Sequence, residues 1–339
     1  MSSPKISLEE LTRFGIAPED ELFHVHSSRP EWWNESFSWD WFDERGERAG
    51  HCRFATFPNQ DRAWVCLYLY DGAGDGAPEW IALDEPRLPL ANVDRDELTF
   101  RSAGFELRYQ PFDPLRTGSL GFSGRGRALS GPRAGALIDL DLDLEIAGID
   151  APHSRGVRNV ASAESTGVST NRFVQSTDVH GTIRAGSDPV EFVGFGDRDH
   201  AWGPRSWNME WEFVSLRGPG RRLQAAVRKI PNVGRFATGF VLGDEFTSVS
   251  EADFRVEFER GPQSVPTRAS LAIKTEDSKL ITGHLEPISG VEIDLSHTDS
   301  PRERTRFHRT LVRFVEDGVK PRRKRPPTIG WFETNRYLE

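Results

Sequence analysis

Cysteine is scarce: Cys52 and Cys66 are the only two in 339 residues. So few thiols in so long a chain exclude a disulfide framework, and both are expected as buried thiols inside strands. No run of about 18 apolar residues occurs, so a membrane-spanning helix is not expected. The N-terminus, MSSPKISLEELTRFG, lacks a basic region followed by an apolar core and a cleavage pattern, which points to the cytosol. Positive charge is also in deficit. With 43 Lys and Arg against 52 Asp and Glu, the formal charge of −9 argues against a protein built to coat nucleic acid. Several catalytic signatures are missing too: His-Glu-x-x-His, a compact His and Cys ligand set, the Gly-x-Ser-x-Gly elbow, and glycine spacing that leads into a nucleotide-binding helix. Neither a metal nor another cofactor is expected.

Long amphipathic helices are absent as well, whereas period-two alternation is abundant. Leu8 to Phe14 suits a helical turn or two. Phe37, Trp39 and Trp41 then share one face of a strand, and further strands are expected at 51–57, 63–70 and 98–109. In 136–146, Asp139, Asp141, Asp143 and Glu145 alternate with Ile138, Leu140, Leu142, Leu144 and Ile146. A strand puts all four carboxylates on one wet face, opposite basic cross-strand partners. Gly74 to Gly76 and Gly121 to Gly126 read as turns. Strand-like segments continue from Arg172 to Arg336 without βαβ helices or a short repeat. The expected fold is all-β: two consecutive antiparallel barrel or sandwich domains. A Ser, Gly and Ala-rich stretch near 148–170 places the crossover, giving an N-terminal extension at 1–30, a first domain at 31–165 and a second at 166–339.

Chemistry concentrates at Val193 to Trp207. Gly194 and Gly196 permit a bend or the close approach of another backbone. Gly203 and Pro204 then suggest a corner, which gathers Asp197, Arg198, Asp199, His200 and Arg205 beside Trp202 and Trp207. A carboxylate against an aromatic wall can hold a proton, a histidine can take or return it, and an arginine can fix negative charge. Asp199 is the candidate acid, His200 its partner or base, and Arg205 the anion anchor. Trp202, Trp207 and Trp211 form a candidate cation-tolerant wall, with Gln175 and His180 as further substrate-facing groups. Glu35, Trp39, Trp41 and His51 are weaker candidates. A structural reading stands beside this one, in which Arg198 and Arg205 neutralise Asp197 and Asp199. Glu333 and Arg336 are expected to close the last strand as a pair. His24 with His26 reads as polar surface rather than a metal site. The basic run Pro321 to Pro327 reads as an exposed connection.

The segment GFGDRDHAWGPRSW resembles the G-x-G-x-R-D-H-S-W-G-x-R-x-W signature of the carotenoid hydratase and hydroxyneurosporene synthase group and its AttH-like relatives. The match falls on Arg198, Asp199, His200, Trp202, Gly203, Arg205 and Trp207, with Ala201 where many relatives carry serine. Glu35 to Phe37, Gln175 to Gly181 and Gly330 to Arg336 extend the resemblance over about Glu31 to Arg336. It implies two lipocalin-like barrels in tandem and a small hydrophobic substrate. The implied chemistry is cofactor-independent acid-base work on an apolar isoprenoid or related unsaturated metabolite, foremost as a hydratase or dehydratase. An isomerase or terpenoid cyclase is the first alternative. A carrier of a small hydrophobic ligand, without catalysis, is the second.

Overall fold

A computed structural model describes residues 6–24, 33–73, 77–154, 171–186, 188–204, 207, 209–261, 264–295, 305–319 and 326–338. Among them the chain is almost wholly antiparallel β and falls into two compact units. The first comprises Met1–Asp43 with Glu47–Arg205, and the second Glu44–Gly46 with Ser206–Glu339.

The first unit opens with α1 (Leu8–Leu11), capped by Ser7, whose hydroxyl accepts from the Glu10 amide at 3.1 Å, and a 3-10 turn at Pro18–Glu21. Strands β1 (Trp33–Phe42), β2 (Arg48–Phe57), β3 (Arg62–Asp71) and β4 (Glu79–Pro89) follow as a meander. Next come β5 (Val93–Asp94), β6 (Thr99–Ser102), β7 (Phe105–Asp113), β8 (Thr117–Ala128), β9 (Leu137–Gly148) and β10 (His153–Ser154). Long strands β11 (Asn171–Ala185) and β12 (Val190–Pro204) complete the unit. Because β9 pairs with both β8 and β11, and β12 pairs with β1, the ladders run round a ring of eight strands. Its narrowest joint is the two-residue pairing of β4 with β8. The interior holds Phe37, Trp39, Phe54, Leu107, Leu144 and their neighbours. The second unit is a closed eight-stranded barrel: β13 (Glu210–Gly218), β14 (Arg221–Ile230), β15 (Gly234–Leu242), β16 (Phe246–Phe258), β17 (Pro266–Thr275), β18 (Leu280–Ile293), β19 (Thr305–Glu316) and β20 (Thr328–Tyr337). Its own core lies around Val214, Leu271 and Phe332.

The all-β, tandem-barrel architecture is the one expected, and β9 has the expected wet and dry faces. Ile138, Leu140, Leu142, Leu144 and Ile146 are buried, while Arg184 pairs with Asp141 and His180 with Glu145 from the neighbouring strand. Cys52 and Cys66 form no disulfide and are buried. They stand on adjacent strands one register step apart, so their side chains leave opposite faces.

Four expectations are corrected. The expected domain boundary at 165/166 gives way to a division after Arg205, because β11 and β12 pair with β9 and β1. A Ser, Gly and Ala-rich stretch marks a connection but carries nothing about which sheet the next strands join. The N-terminal extension is part of the first unit, where Leu11 and Ile16 are buried with Leu115, Phe173 and Trp202. The expected strand 98–109 is a hairpin of β6 and β7. Phe100 and Phe105 both face the core across an odd interval, which only a turn between them allows. Gly121 to Gly126 are strand rather than turn, since at Gly124 and Gly126 neighbouring strands come so close that a Cβ would meet Phe105 Cβ at 2.6 Å or Leu140 Cδ1 at 2.8 Å. The stretch at 74–76 lies outside the described residues.

Candidate active site

The Asp197 to Pro204 segment is not a corner. It is the C-terminal half of β12, hydrogen-bonded on one side to β1 and on the other to β11. Gly196 serves close approach, because a Cβ there would stand 1.7 Å from the Asp40 carbonyl of β1. Strand alternation then divides the motif. Arg198, His200 and Trp202 project to the interior, and Asp197 and Asp199 to the opposite face.

Two buried polar clusters occupy the interior side. In the deeper one, Arg198 donates to Glu21 and, at 3.0 Å, lies against the Tyr109 hydroxyl, and its Nε donates to Gln175 Oε1 at 2.6 Å. Glu21 also accepts from the Tyr109 hydroxyl and from the Leu115 amide. Gln175 Nε2 donates to the carbonyls of Leu115 (2.9 Å) and Asp150 (2.6 Å). Burial alone would lower the Arg198 pKa, but Glu21, Tyr109 and Asp150 together outweigh it, and the guanidinium stays charged. Burial and the same carboxylate push the Tyr109 phenol up, so it remains a donor.

The second cluster lies around Glu35 on β1. Its Oε1 accepts from the His24 amide (2.8 Å), faces His24 Nδ1 at 2.8 Å and faces His200 Nε2 at 3.2 Å. Both imidazoles touch Asp20 with their far nitrogens: His200 Nδ1 lies 2.6 Å from the Asp20 carbonyl, and His24 Nε2 lies 3.3 Å from Asp20 Oδ1. A carbonyl only accepts, so His200 Nδ1 is a donor, and its Nε2 also faces an acceptor, the Glu35 carboxylate. Both nitrogens of His24 face carboxylate oxygens, which suits the doubly protonated ring. Burial would lower the His24 pKa, but the hydrogen bond and charge of Glu35, then Asp20, hold it above the ordinary value. Burial would raise Glu35, but hydrogen bonds from His200 and His24 hold it below the usual carboxylate range. Aromatic rings enclose the centre. Trp202 stacks on His24 at 3.9 Å between ring centroids, Phe37 stacks on His200 at 3.8 Å, and Phe173 meets His200 edge-on at 5.7 Å. Glu35 and His200 are almost inaccessible, with side chains 1% and 2% exposed, whereas His24 is 22% exposed.

The expected site residues are therefore dispersed. His200 and Trp202 meet in the Glu35 centre. Asp199 sits on the far face of β12, held by Arg172, whose Nε lies 2.7 Å from Asp199 Oδ2. Gln175 is committed to Arg198 and two carbonyls. His180 is exposed and pairs with Glu145 at 2.9 Å. Trp207 and Trp211 belong to the second unit, 6.4 Å apart between ring centroids, and Trp211 Nε1 donates to Glu333 at 3.2 Å. Glu333 and Arg336 do not pair with each other: Glu333 takes Arg309, and Arg336 takes Glu212. His51 pairs with Asp40 at 2.7 Å. Arg205, His26 and residues 320–325 lie outside the described residues. Sequence reasoning missed Asp20 and Glu21, and the reading of His24 as polar surface is corrected: its ring is 22% exposed, faces Glu35 at 2.8 Å and is covered by Trp202. The only local hint was the four-residue spacing of Asp20 and His24.

Among the described residues, no helix is long and apolar enough to cross a membrane. The solved structures similar to this chain share its fold at low identity. A Nitrosomonas europaea protein described as a candidate AttH matches with TM-score 0.61 and 13% identity over 93% of this chain and 95% of its own. Kievitone hydratase from Nectria haematococca matches with TM-score 0.59 and 11% identity over 99% and 97%. CghA with Sch210972 matches with TM-score 0.57 and 11% identity over 90% and 88%. These matches establish an AttH-, CghA- and kievitone-hydratase-like fold. A search of curated proteins finds no match. A family model described as "Domain of unknown function (DUF7064)" matches residues 17–337, and the chain belongs to that family.

Proposed function

We propose that this protein adds water to, or removes it from, an apolar unsaturated metabolite of isoprenoid or related type at the His24, Glu35 and His200 centre. The observation that carries the reading is a nearly inaccessible carboxylate held at 2.8 and 3.2 Å between two imidazoles under Trp202 and Phe37. Such a centre can deliver and recover protons while its walls accept an apolar substrate. In the hydration direction, His24 gives a proton to one alkene carbon. Water bonds to the other carbon, and its extra proton returns to the centre, which ends in its starting state. An imidazolium is a modest acid, so a double bond polarised by a carbonyl or flanked by an allylic alcohol suits it better than an isolated alkene. The kinship of fold with a protein named kievitone hydratase supports the same class of reaction.

One observation favours the carrier reading instead: Asp199, the carboxylate of the motif, is locked to Arg172 rather than free. Mass spectrometry of the purified protein incubated with pooled terpenoid and other apolar metabolites separates the readings. Gain or loss of one water is the expected result. A new isomer at unchanged mass points to an isomerase or cyclase, and retention without conversion points to a carrier; either outcome overturns the hydratase reading.

A further inference from the structure

The same centre has the donor set of a metal site. His24, Glu35 and His200 each present a ligand atom, and the three atoms lie within 4.8 Å of one another. Two imidazoles and one carboxylate on an oxygen and nitrogen centre are the ligand set of open zinc sites, which leave a fourth position for water or substrate. What lies behind the ligands points the same way. In protein metal sites the far nitrogen of a ligating histidine is held by a carboxylate or a backbone carbonyl. Here Asp20 supplies both, its carboxylate to His24 Nε2 at 3.3 Å and its carbonyl to His200 Nδ1 at 2.6 Å. That arrangement turns His24 Nδ1 and His200 Nε2 toward Glu35. Glu35 Oε2 is buried and accepts no hydrogen bond among the described residues. Trp202 and Phe37 fix the two ring planes by stacking.

We propose that His24, Glu35 and His200 bind a divalent transition-metal ion of the Zn²⁺ type. The inference stands on this ligand geometry and does not rest on the hydratase reading. Binding displaces the proton that His24 shares with Glu35, so the ion-filled centre and the proton-transferring centre are alternative states of the same atoms. Arg95, 42% exposed with Nη2 at 3.6 Å from Glu35 Oε2, is the cation an incoming ion has to displace.

The test is titration of chelator-treated full-length protein with Zn²⁺ by calorimetry, and with Co²⁺ followed by visible absorption. The expected result is one equivalent bound, with a Co²⁺ spectrum typical of few-coordinate nitrogen and oxygen ligation. His24→Ala and Glu35→Gln are each expected to weaken uptake by about 10-fold or more, and His180→Ala, at an exposed histidine, to leave it unchanged. Circular dichroism checks that each variant folds; His24 is partly exposed and its truncation leaves no large cavity. Absence of uptake by the folded wild type, or undiminished uptake by either variant, overturns the proposal. Uptake is read without substrate and turnover is read on chelator-treated protein, so the two readings fail separately.

Discussion

The Arg198 and Glu21 pair shows what a single side chain does here, because both are buried and the carboxylate belongs to a segment 177 positions away. Arg198→Met leaves Glu21 as a buried charge with only neutral donors, a loss expected to cost about 3–5 kcal/mol in urea unfolding. A second change, Glu21→Gln, is expected to recover part of it, and a cost near zero for Arg198→Met would mean that the pair is not as buried as described. Arg198, His200, Trp202 and Glu35 were legible as residues of interest, since a strand-borne cluster of charged and aromatic groups stands out in sequence. Their roles were not. Which face Asp199 takes depends on the phase of β12, and a Gly and Pro-rich spelling obscured that phase. Asp20 was illegible and His24 was misassigned to polar surface, because their partners, Glu35 and His200, are supplied by folding rather than by proximity in the chain.

Among the elements, β12 is held closest to its neighbour at Gly196. An added methyl would stand 1.7 Å from the Asp40 carbonyl, so Gly196→Ala is expected to destabilise the first unit by about 1–3 kcal/mol or more as β1 and β12 move apart. Gly104→Ala, where a Cβ would meet nothing within 4 Å, serves as the control in the same thermal melts. Equal effects of the two would remove close packing as the reason for the glycine. Strict alternation made β9 readable, because its carboxylates and aliphatic groups name both faces. The glycines of β8 and the parity break between β6 and β7 were harder. A glycine placed for close approach and a glycine placed for a turn are spelled alike, and only the neighbouring strand tells them apart.

At the scale of the molecule, each unit carries its own core, and each can be read separately. In the second, burial and the Arg306 charge hold the His308 imidazole down to about 4, although Glu292 lies 3.7 Å away at a half-exposed position. Its folded pKa is below the unfolded one. The stability it contributes is therefore fully present above about 6.5 and is lost as pH falls from there toward 4. The difference in unfolding free energy between wild type and His308→Gln is expected to shrink over that window, measured by denaturant melts; a difference independent of pH would contradict the assignment. Tandem barrels were legible from alternation without helices. The boundary was not, because composition locates a connection while strand pairing decides its membership.

The central claim is that proton chemistry runs at Glu35 and its two histidines rather than at Asp199. The most direct measurement compares turnover of Glu35→Gln and Asp199→Asn with wild type on whichever apolar metabolite the protein converts, with folding checked by circular dichroism. Glu35→Gln is expected to lose about 10²-fold or more in rate, and Asp199→Asn to keep most of it. Full turnover by a folded Glu35→Gln, with loss confined to Asp199→Asn, would contradict the account and return the acid role to the far face of β12.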